Sequence, residues 1–376
     1  MECLERECGD CGVGKVIGSL GLSAVGGFNC KWKCWELVEG ENGKRRELVN
    51  REGDISVLIK ELSDDLKGLS KHLHTFRWQF SQYRNIKLNL PTDTALAIFD
   101  FSENYLCQHQ DEVQSAHWAY RQVTVHPCCL YYTCPSCENH QVTDYFVVLS
   151  DDLTHDAHFV RSVTEQVKLH LLSQMKSVKK IVIFSDGCST QYKSKMPFFF
   201  LAKDSSSIEI EKCFFGSCHG KSPCDSCGGL IKRFATQDVA SGLVIIQNSA
   251  AMQTHLTEHH SLPRDGTSSS LCAHTRRSFV LINDIDRTID SKNMKTVVGT
   301  QKLHQIKRLD NNTLMKRNLC CFCPGCLGGL ACENTKFVLP WDLVKIPDLM
   351  DYTISSLESI SDRVFFSRSA IASQVS

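Results

Sequence analysis

The middle of the sequence contains a series of short apolar runs that are rich in β-branched and aromatic residues. Such runs between polar flanks predict β-strands. The five predicted strands span residues 94–101, 117–133, 144–150, 179–186 and 208–217. Segments with helical periodicity follow the third, fourth and fifth strands, at 155–175, at 189–202 and in the second half of 219–237. The predicted order is therefore β-β-β-α-β-α-β-α, which indicates an α/β fold.

The flanks of this core have different patterns. Residues 52–88 predict one long helix, because their leucines recur at spacings of three and four. Three short strands are predicted after the core, at 277–284, 295–309 and 313–319. These patterns divide the chain into a cysteine-rich module (1–50), a helical segment (51–89), an α/β core (90–261), a β-rich region with a cysteine cluster (262–355) and a loosely ordered tail (356–376).

Composition narrows the possible partners of the chain. Lysine plus arginine and aspartate plus glutamate both total 42, so the formal net charge is zero. Any contact with nucleic acid must therefore come from local basic patches. No apolar run reaches the roughly 18 residues that a membrane span needs, and the first residues lack the pattern of a signal peptide. We expect an intracellular protein with no membrane partner.

The 21 cysteines are the most unusual feature of the composition. Without a secretion signal they favour zinc ligands or buried thiols over disulfides. Two groups have spacings typical of zinc ligands, namely Cys8, Cys11, Cys30 and Cys34 near the start and Cys321, Cys323, Cys326 and Cys332 near the end. His274 and His304 are alternative ligands for the second group. A further pair, Cys134 and Cys137, has His126 and His140 nearby but is incomplete alone.

Three aspartates occupy informative positions relative to the predicted strands. Asp100 ends the first strand, Asp186 ends the fourth, and Asp225 follows the fifth. Carboxylates that come together repel one another unless cations neutralise them, so the set predicts a divalent-metal site. Oxygen ligands favour Mg²⁺ or Mn²⁺. An aspartate at a strand end can also cap the next helix, and four other acids compete for the site: Glu103, Glu112, Asp151 and Asp152.

The strand order and the spacing of the aspartates resemble the catalytic core of DDE/D-type transposases, in the ribonuclease H-like integrase superfamily. The segments AIFDFSENY, VIFSDGCSTQYKS and FFGSCHGKSPCD carry this resemblance, which covers residues 90–240. It implies a ribonuclease H-like mixed sheet flanked by helices. It also implies that Asp100, Asp186 and Asp225 are catalytic ligands of a metal pair. Many relatives have glutamate as the third carboxylate, whereas this chain has aspartate.

The resemblance further implies cleavage and strand transfer of DNA in the nucleus, with DNA as partner, a homo-oligomeric state and no small-molecule cofactor. Four basic residues near the carboxylates are candidates for phosphate contacts: Lys193, Lys195, His219 and Lys221. The neutral net charge and the lack of a recognisable DNA-recognition domain favour an alternative. In that alternative the protein is a transposase-derived, catalytically inactive scaffold that binds DNA, chromatin or other proteins.

Overall fold

The computed structural model describes residues 8–19, 21, 27–40, 43–108, 120–137, 140–216, 222–262, 272–291 and 294–346. Its helices are α1 (Val13–Ser19), α2 (Ile55–Leu88), α3 (Ala157–Gln174), α4 (Lys195–Ala202), α5 (Pro223–Ala240), α6 (Ser249–His260) and α7 (Pro324–Leu327). Its strands are β1 (Asn29–Gly40), β2 (Gly43–Asp54), β3 (Thr94–Phe99), β4 (Tyr105–Leu106), β5 (Gln122–Thr133), β6 (Gln141–Ser150), β7 (Lys180–Ser185), β8 (Glu209–Phe214), β9 (Thr275–Leu281), β10 (Gln305–Asp310), β11 (Thr313–Arg317) and β12 (Asp342–Lys345). Within these ranges no helix has both the length and the apolar character needed to cross a bilayer.

One large mixed sheet organises most of the described chain. Its strand order is β12-β11-β10-β8-β7-β3-β5-β6-β9, and β4 pairs with β5. Strands β3, β7 and β8 are parallel, whereas β5 runs antiparallel to both of its neighbours in this order, β3 and β6. The predicted α/β class is thus confirmed as a mixed sheet flanked by helices, with cysteine clusters beside it.

Strand β3 shows why the centre of the sheet is apolar on both faces. Ala95, Ala97 and Phe99 pack into a core with residues of α3 and α4. Leu96 and Ile98, which point the other way, pack into a second core with residues of α2, α5 and α6. A strand covered on both faces reads as a continuous apolar run, which is the pattern the sequence has here.

The N-terminal cysteines do not form the predicted four-ligand zinc set. Cys30 and Cys34 lie on β1, where four residues of extended chain span about 13 Å. The thiol of Cys34 donates a hydrogen bond to Glu36 Oε1 at 3.2 Å. The sulfurs of Cys8 and Cys11 are 3.4 Å apart just before α1. In the described part of the chain these four residues form no common metal-ligand group, because β1 and β2 make a long hairpin instead of two tight turns.

The region after residue 262 joins the same large sheet instead of forming a sheet of its own. Strand β9 pairs with β6 at one edge, and β10 to β12 extend the sheet beyond β8 at the other. A strand is predicted at 295–309, but in the structure the strand begins only at Gln305, the first residue of β10. A 3-10 turn at Thr300–Lys302 precedes β10, and Gly299 enters that turn with a φ of 77°. The predicted tail, 356–376, lies outside the described residues.

The long helix α2 follows the hairpin and ends against the sheet. Its N-cap is Asp54, whose side chain accepts a hydrogen bond from the Ser56 amide at 2.9 Å. The leucine stripe that predicted this helix is only partly buried, and Leu69 is 48% exposed. The buried residues of the helix, apart from Ile55 in its first turn, lie in its last three turns, beside the second core. The C-terminal half of α2 is therefore the part that belongs to the core.

Two adjacent glycines on α5 provide a test of how closely this helix must approach the sheet. A Cβ at Gly228 would lie 2.6 Å from Ser102 Oγ, whereas a Cβ at Gly229 would meet nothing within 4 Å. Ser102 cannot move away easily, since its amide donates to Val125 O at 3.0 Å. We expect Gly228→Ala to destabilise the protein by about 1–3 kcal/mol.

The matched control is Gly229→Ala, which we expect to stabilise the protein by up to about 1 kcal/mol, because alanine favours the helix and has space there. Urea unfolding of both variants measures the two effects. Equal stabilities for the two variants would contradict the close packing of α5 on the end of β3.

Candidate functional site

Asp100 and Asp186 follow directly after neighbouring parallel strands. Strands β3 and β7 pair in a register that sets Ile98 against Phe184, and each aspartate comes two residues later. Extending that register places Asp100 beside Asp186, with backbones separated by about 5 Å, the usual distance between strands. Both side chains are partly buried. The carboxyl ends of parallel strands are where α/β sheets commonly present functional groups.

Asp225 reaches the same place from the first turn of α5. The Cys224 thiol donates to Ile98 O at 3.2 Å, and Gly228 packs against Ser102, so this turn lies on the end of β3. Asp225 also belongs to the capping box of the helix, in which its Oδ2 accepts a hydrogen bond from the Ser222 amide at 2.8 Å. The side chain is exposed and its other oxygen has no part in the capping box.

The electrostatics of the site reflect this convergence. Burial raises the pKa of Asp100 to about 7, with further contributions from the negative charges of Asp186 and Asp225. Burial also raises the pKa of Asp186, although its Oδ1 accepts a hydrogen bond from the Cys188 amide at 3.1 Å. Asp100 is thus close enough to each of the other two carboxylates to be repelled by it. A cation at this site would relieve that repulsion.

Two buried neutral groups lie next to the carboxylates. Tyr192 Oη and His126 Nε2 are 3.0 Å apart. Burial and the charges of Asp100 and Asp186 raise the pKa of Tyr192 well above its usual value, so the phenol stays protonated. Burial lowers the pKa of His126 to about 3, so its imidazole is neutral. This pair could not be predicted from the sequence, because His126 and Tyr192 meet only when β5 and the segment after β7 are packed together.

The predicted phosphate-contacting residues occupy different environments. Lys193 is only 7% exposed, and its ammonium donates to Gln301 O at 3.2 Å and lies 5.1 Å from the centre of the Phe214 ring. Burial lowers the pKa of this lysine to about 8. In this position Lys193 does not reach the surface, which corrects its predicted role. Lys195 is partly buried at the start of α4, whereas His219 and Lys221 lie outside the described residues.

The competing acids are mostly engaged elsewhere. Asp151 Oδ1 accepts a hydrogen bond from the Ser249 amide at 2.8 Å, at the start of α6. Asp152 pairs with Arg287 and accepts a hydrogen bond from the Thr154 amide at 2.9 Å. The side chain of Glu103 is 96% exposed and lies 3.7 Å from the ammonium of Lys232. Glu112 lies outside the described residues.

The C-terminal cysteine cluster brings together the four residues that the sequence predicted. The sulfurs of Cys321, Cys323, Cys326 and Cys332 all lie within 4.8 Å of one another, and those of Cys321 and Cys332 are 3.6 Å apart. Burial acts to raise the pKa of the Cys323 thiol, but the backbone amides of Glu333 and Cys326 lower it below its usual range. Four thiols at such distances could hold zinc in a structural site.

Helix α2 holds the backbone of this cluster in place. Gln79 accepts a hydrogen bond from the Cys320 amide at 3.0 Å, and Gln82 accepts one from the Phe322 amide at 2.7 Å. The indole of Trp78 donates to Cys320 O at 2.7 Å. The start of the cysteine segment is therefore fixed by polar side chains that lie 240 and 241 residues earlier in the chain.

Two further groups of metal-binding residue types occur in the described part of the chain. Cys134 and Cys137 meet Cys272 and His274, with all four ligand atoms within 4.8 Å of one another. The sequence pointed to the first pair only, and the short spacing in LCAHT was the signal for the second. The other group is Asp238, His255 and His260, in which Asp238 Oδ2 lies 2.8 Å and 2.6 Å from the two Nε2 atoms. Direct hydrogen bonds are sufficient to explain this group.

Comparison with known protein families identified a match for the core of the chain. Residues 79–320 match a family that is described as a domain of unknown function, DUF8701. The matched region covers more than half of the 376-residue chain and contains the three aspartates. It ends just before the cluster formed by Cys321, Cys323, Cys326 and Cys332. No curated protein matches the chain.

The raised pKa of Asp100 predicts how the pH affects stability without added Mg²⁺ or Mn²⁺. The folded-state pKa is about 7, above the value of about 3.9 expected for the unfolded chain. Asp100 therefore binds its proton more tightly in the folded state than in the unfolded chain. The stabilisation of the folded state that results is fully present below pH 4 and is lost as the pH rises through 7. Asparagine cannot ionise, so Asp100→Asn should be more stable than the wild type at pH 8, by about 1–3 kcal/mol.

Urea unfolding of the wild type and Asp100→Asn between pH 4 and pH 8 measures this difference, which should shrink towards pH 4. Glu103→Gln is the control, because that side chain is exposed and should show no such trend. A difference between wild type and Asp100→Asn that stays constant over this pH range would contradict the raised pKa of Asp100.

Proposed function

The chain belongs to the DUF8701 family, and we propose that its core is a metal-dependent DNA-cleaving and strand-transferring domain of the DDE/D transposase type. The observation that carries the proposal is the meeting of Asp100, Asp186 and Asp225 at one end of the sheet. Two of them follow adjacent parallel strands, and the third lies on a helix packed against the first strand. This arrangement supports a site for hard divalent cations.

The topology supports the same proposal. The five central strands lie in the order β6-β5-β3-β7-β8, and only β5 is antiparallel to the others. Helices α3 and α4 cover one face, while α5 and α6 cover the other. We infer that this is a ribonuclease H-like fold. In such a fold the ends of the first and fourth strands, here β3 and β7, are where catalytic carboxylates belong.

The residues of the site have different roles in binding cations. Asp100 lies close enough to both other carboxylates for their charges to raise its pKa, so it could share a cation with either of them. The Cys188 amide orients one oxygen of Asp186, and the capping box orients one oxygen of Asp225. Tyr192 and His126 remain neutral beside them and add no charge of their own. When bound, a pair of Mg²⁺ or Mn²⁺ ions supplies the Lewis acidity that phosphodiester chemistry needs.

The proposed reaction has two balanced steps. In the first, water attacks a phosphodiester, the bond from phosphorus to the 3′-oxygen breaks, and a 3′-hydroxyl is released. In the second, that hydroxyl attacks another phosphodiester, so that one P–O bond forms as another breaks. Neither step requires an external energy source. We place this activity in the nucleus, with DNA as the partner and a homo-oligomer as the active assembly.

The thiol cluster formed by Cys321, Cys323, Cys326 and Cys332 has a separate proposed role. Thiolates select zinc over magnesium, so the two sets of ligands do not compete for one ion. A zinc ion there would cross-link the segment after β11 to itself, and helix α2 would hold that segment in place through its hydrogen bonds to the backbone of Cys320 and Phe322. We propose this zinc as a structural ion.

Substitution of the carboxylates tests the proposed function. Asp100→Asn, Asp186→Asn and Asp225→Asn should each reduce Mg²⁺- or Mn²⁺-dependent cleavage of DNA by at least about 100-fold, because each removes a metal ligand from the site. Nicking of supercoiled DNA measures activity, and thermal unfolding confirms that each variant is folded. Asp93→Asn is the matched control, since Asp93 lies at the other end of β3 and should leave cleavage unchanged.

Binding of Mn²⁺, followed by its electron paramagnetic resonance signal, separates the proposal from its alternative. Cleavage that depends on all three aspartates supports the enzyme. If Mn²⁺ binds through these residues but duplex, single-stranded and branched DNA all remain intact, the catalytic proposal fails. The scaffold of the alternative, which binds DNA, chromatin or protein without cleaving DNA, would then account better for the fold. Absence of aspartate-dependent Mn²⁺ binding would overturn the metal site itself.

A further inference from the structure

Four ligand-type residues from two distant segments meet at the end of the sheet opposite the carboxylates. Cys134 and Cys137 lie in the turn between β5 and β6, and Cys272 and His274 directly precede β9. All four ligand atoms lie within 4.8 Å of one another, and Cys137 Sγ is 3.2 Å from His274 Nε2. Three thiols and one imidazole form a common ligand set of structural zinc sites.

Main-chain hydrogen bonds fix both segments in position. The Cys134 amide donates to His140 O at 2.9 Å, which closes the β5–β6 turn. The Thr143 amide donates to His274 O at 2.8 Å, next to the parallel pairing of Thr143 with Thr275. The ligand positions thus follow from the sheet, so little reorganisation is needed to bind an ion.

One ligand of the set is held inside the core of the protein. Cys134 is itself fully buried and belongs to the core, so this ligand is rigidly held.

We propose that Cys134, Cys137, Cys272 and His274 bind one Zn²⁺ ion, which fastens strand β9 to the β5–β6 turn. Strand β9 is the last strand at its edge of the sheet, where it pairs with β6 along its length and with Leu262 at Arg277. An ion between the two segments would connect residues about 135 positions apart in the chain, and cross-links of long loops restrict the unfolded chain most.

This zinc site is separate from the carboxylates. Strand β5 runs antiparallel to β3, with Cys128 opposite Phe99, so that end of β5 lies near Asp100. Cys134 comes six residues further along the chain, which corresponds to about 20 Å of extended backbone. The two sites share no ligand, and we therefore assign the zinc ion a structural role.

His140 is the main competitor for the fourth ligand. Its ring stacks on that of His274 with centroids 4.6 Å apart, and its Nδ1 lies 3.4 Å from Cys137 Sγ. It does not belong to the set of four mutually close ligand atoms, whereas His274 does. The proposal therefore assigns His274 as the ligand and His140 as a neighbouring residue.

Zinc content of the purified full-length protein, determined by elemental analysis, tests the assignment. Cys137→Ser, Cys272→Ser and His274→Ala should each contain one zinc ion fewer per chain than the wild type. His140→Ala should retain the full content, and so should Cys188→Ser, a matched control for loss of a partly buried cysteine outside the cluster. Unchanged zinc content in Cys137→Ser and Cys272→Ser would overturn the site, and loss in His140→Ala with retention in His274→Ala would overturn the choice of histidine.

X-ray absorption at the zinc edge of the wild-type protein provides a second test that does not depend on folding of the variants. The proposal predicts scattering from an imidazole ligand together with sulfur. A spectrum with sulfur ligands alone would overturn the proposal. That result would still be compatible with zinc at Cys321, Cys323, Cys326 and Cys332, so it would leave the metal-dependent cleavage proposed for the aspartates unaffected.

Discussion

The parallel pairing of β3 with β7 is the constraint on which the rest of the site depends. Both strands are buried on both faces, so a shift of one residue in register would turn apolar side chains towards the wrong core. The observed register, with Ile98 opposite Phe184, therefore fixes where the two strands end together. Helix α5 then packs on that end through Cys224 and Gly228, so the position of Asp225 depends on the same pairing.

The central strands and the positions of Asp100 and Asp186 could be predicted because the information is local. A strand covered on both faces is a continuous apolar run, and a charged residue that interrupts the run marks its end. The C-terminal zinc ligands were predictable for a similar reason, since Cys321 to Cys332 form one short segment whose own turns bring the sulfurs together. In these cases the feature that the sequence predicts depends on residues close together in the chain, not on contacts with a distant segment.

Other features could not be predicted because they depend on distant contacts. Lys193 follows Asp186 closely in sequence, but its ammonium is buried against a carbonyl more than 100 residues away. Cys30 and Cys34 have the spacing of a zinc pair, yet the strand they occupy keeps them about 13 Å apart. Cys134 and Cys137 find their partners only through the pairing of β6 with β9, which spacing along the chain does not reveal.

The positions of these ligand sets suggest how one sheet can carry two kinds of metal chemistry. Hard carboxylate oxygens lie at the centre of the sheet, at the carboxyl ends of β3 and β7. One set of thiols lies at the opposite end of the sheet, and the other follows β11, where helix α2 binds its backbone. Under the two proposals, ligand type would direct zinc and magnesium to different places without any need for a selective cavity. Because Cys134, Cys137, Cys272 and His274 join β9 to the β5–β6 turn, loss of the proposed zinc ion there should weaken that edge of the sheet first. Loss of magnesium should leave the fold intact, since the apolar cores on both faces hold the central strands without it.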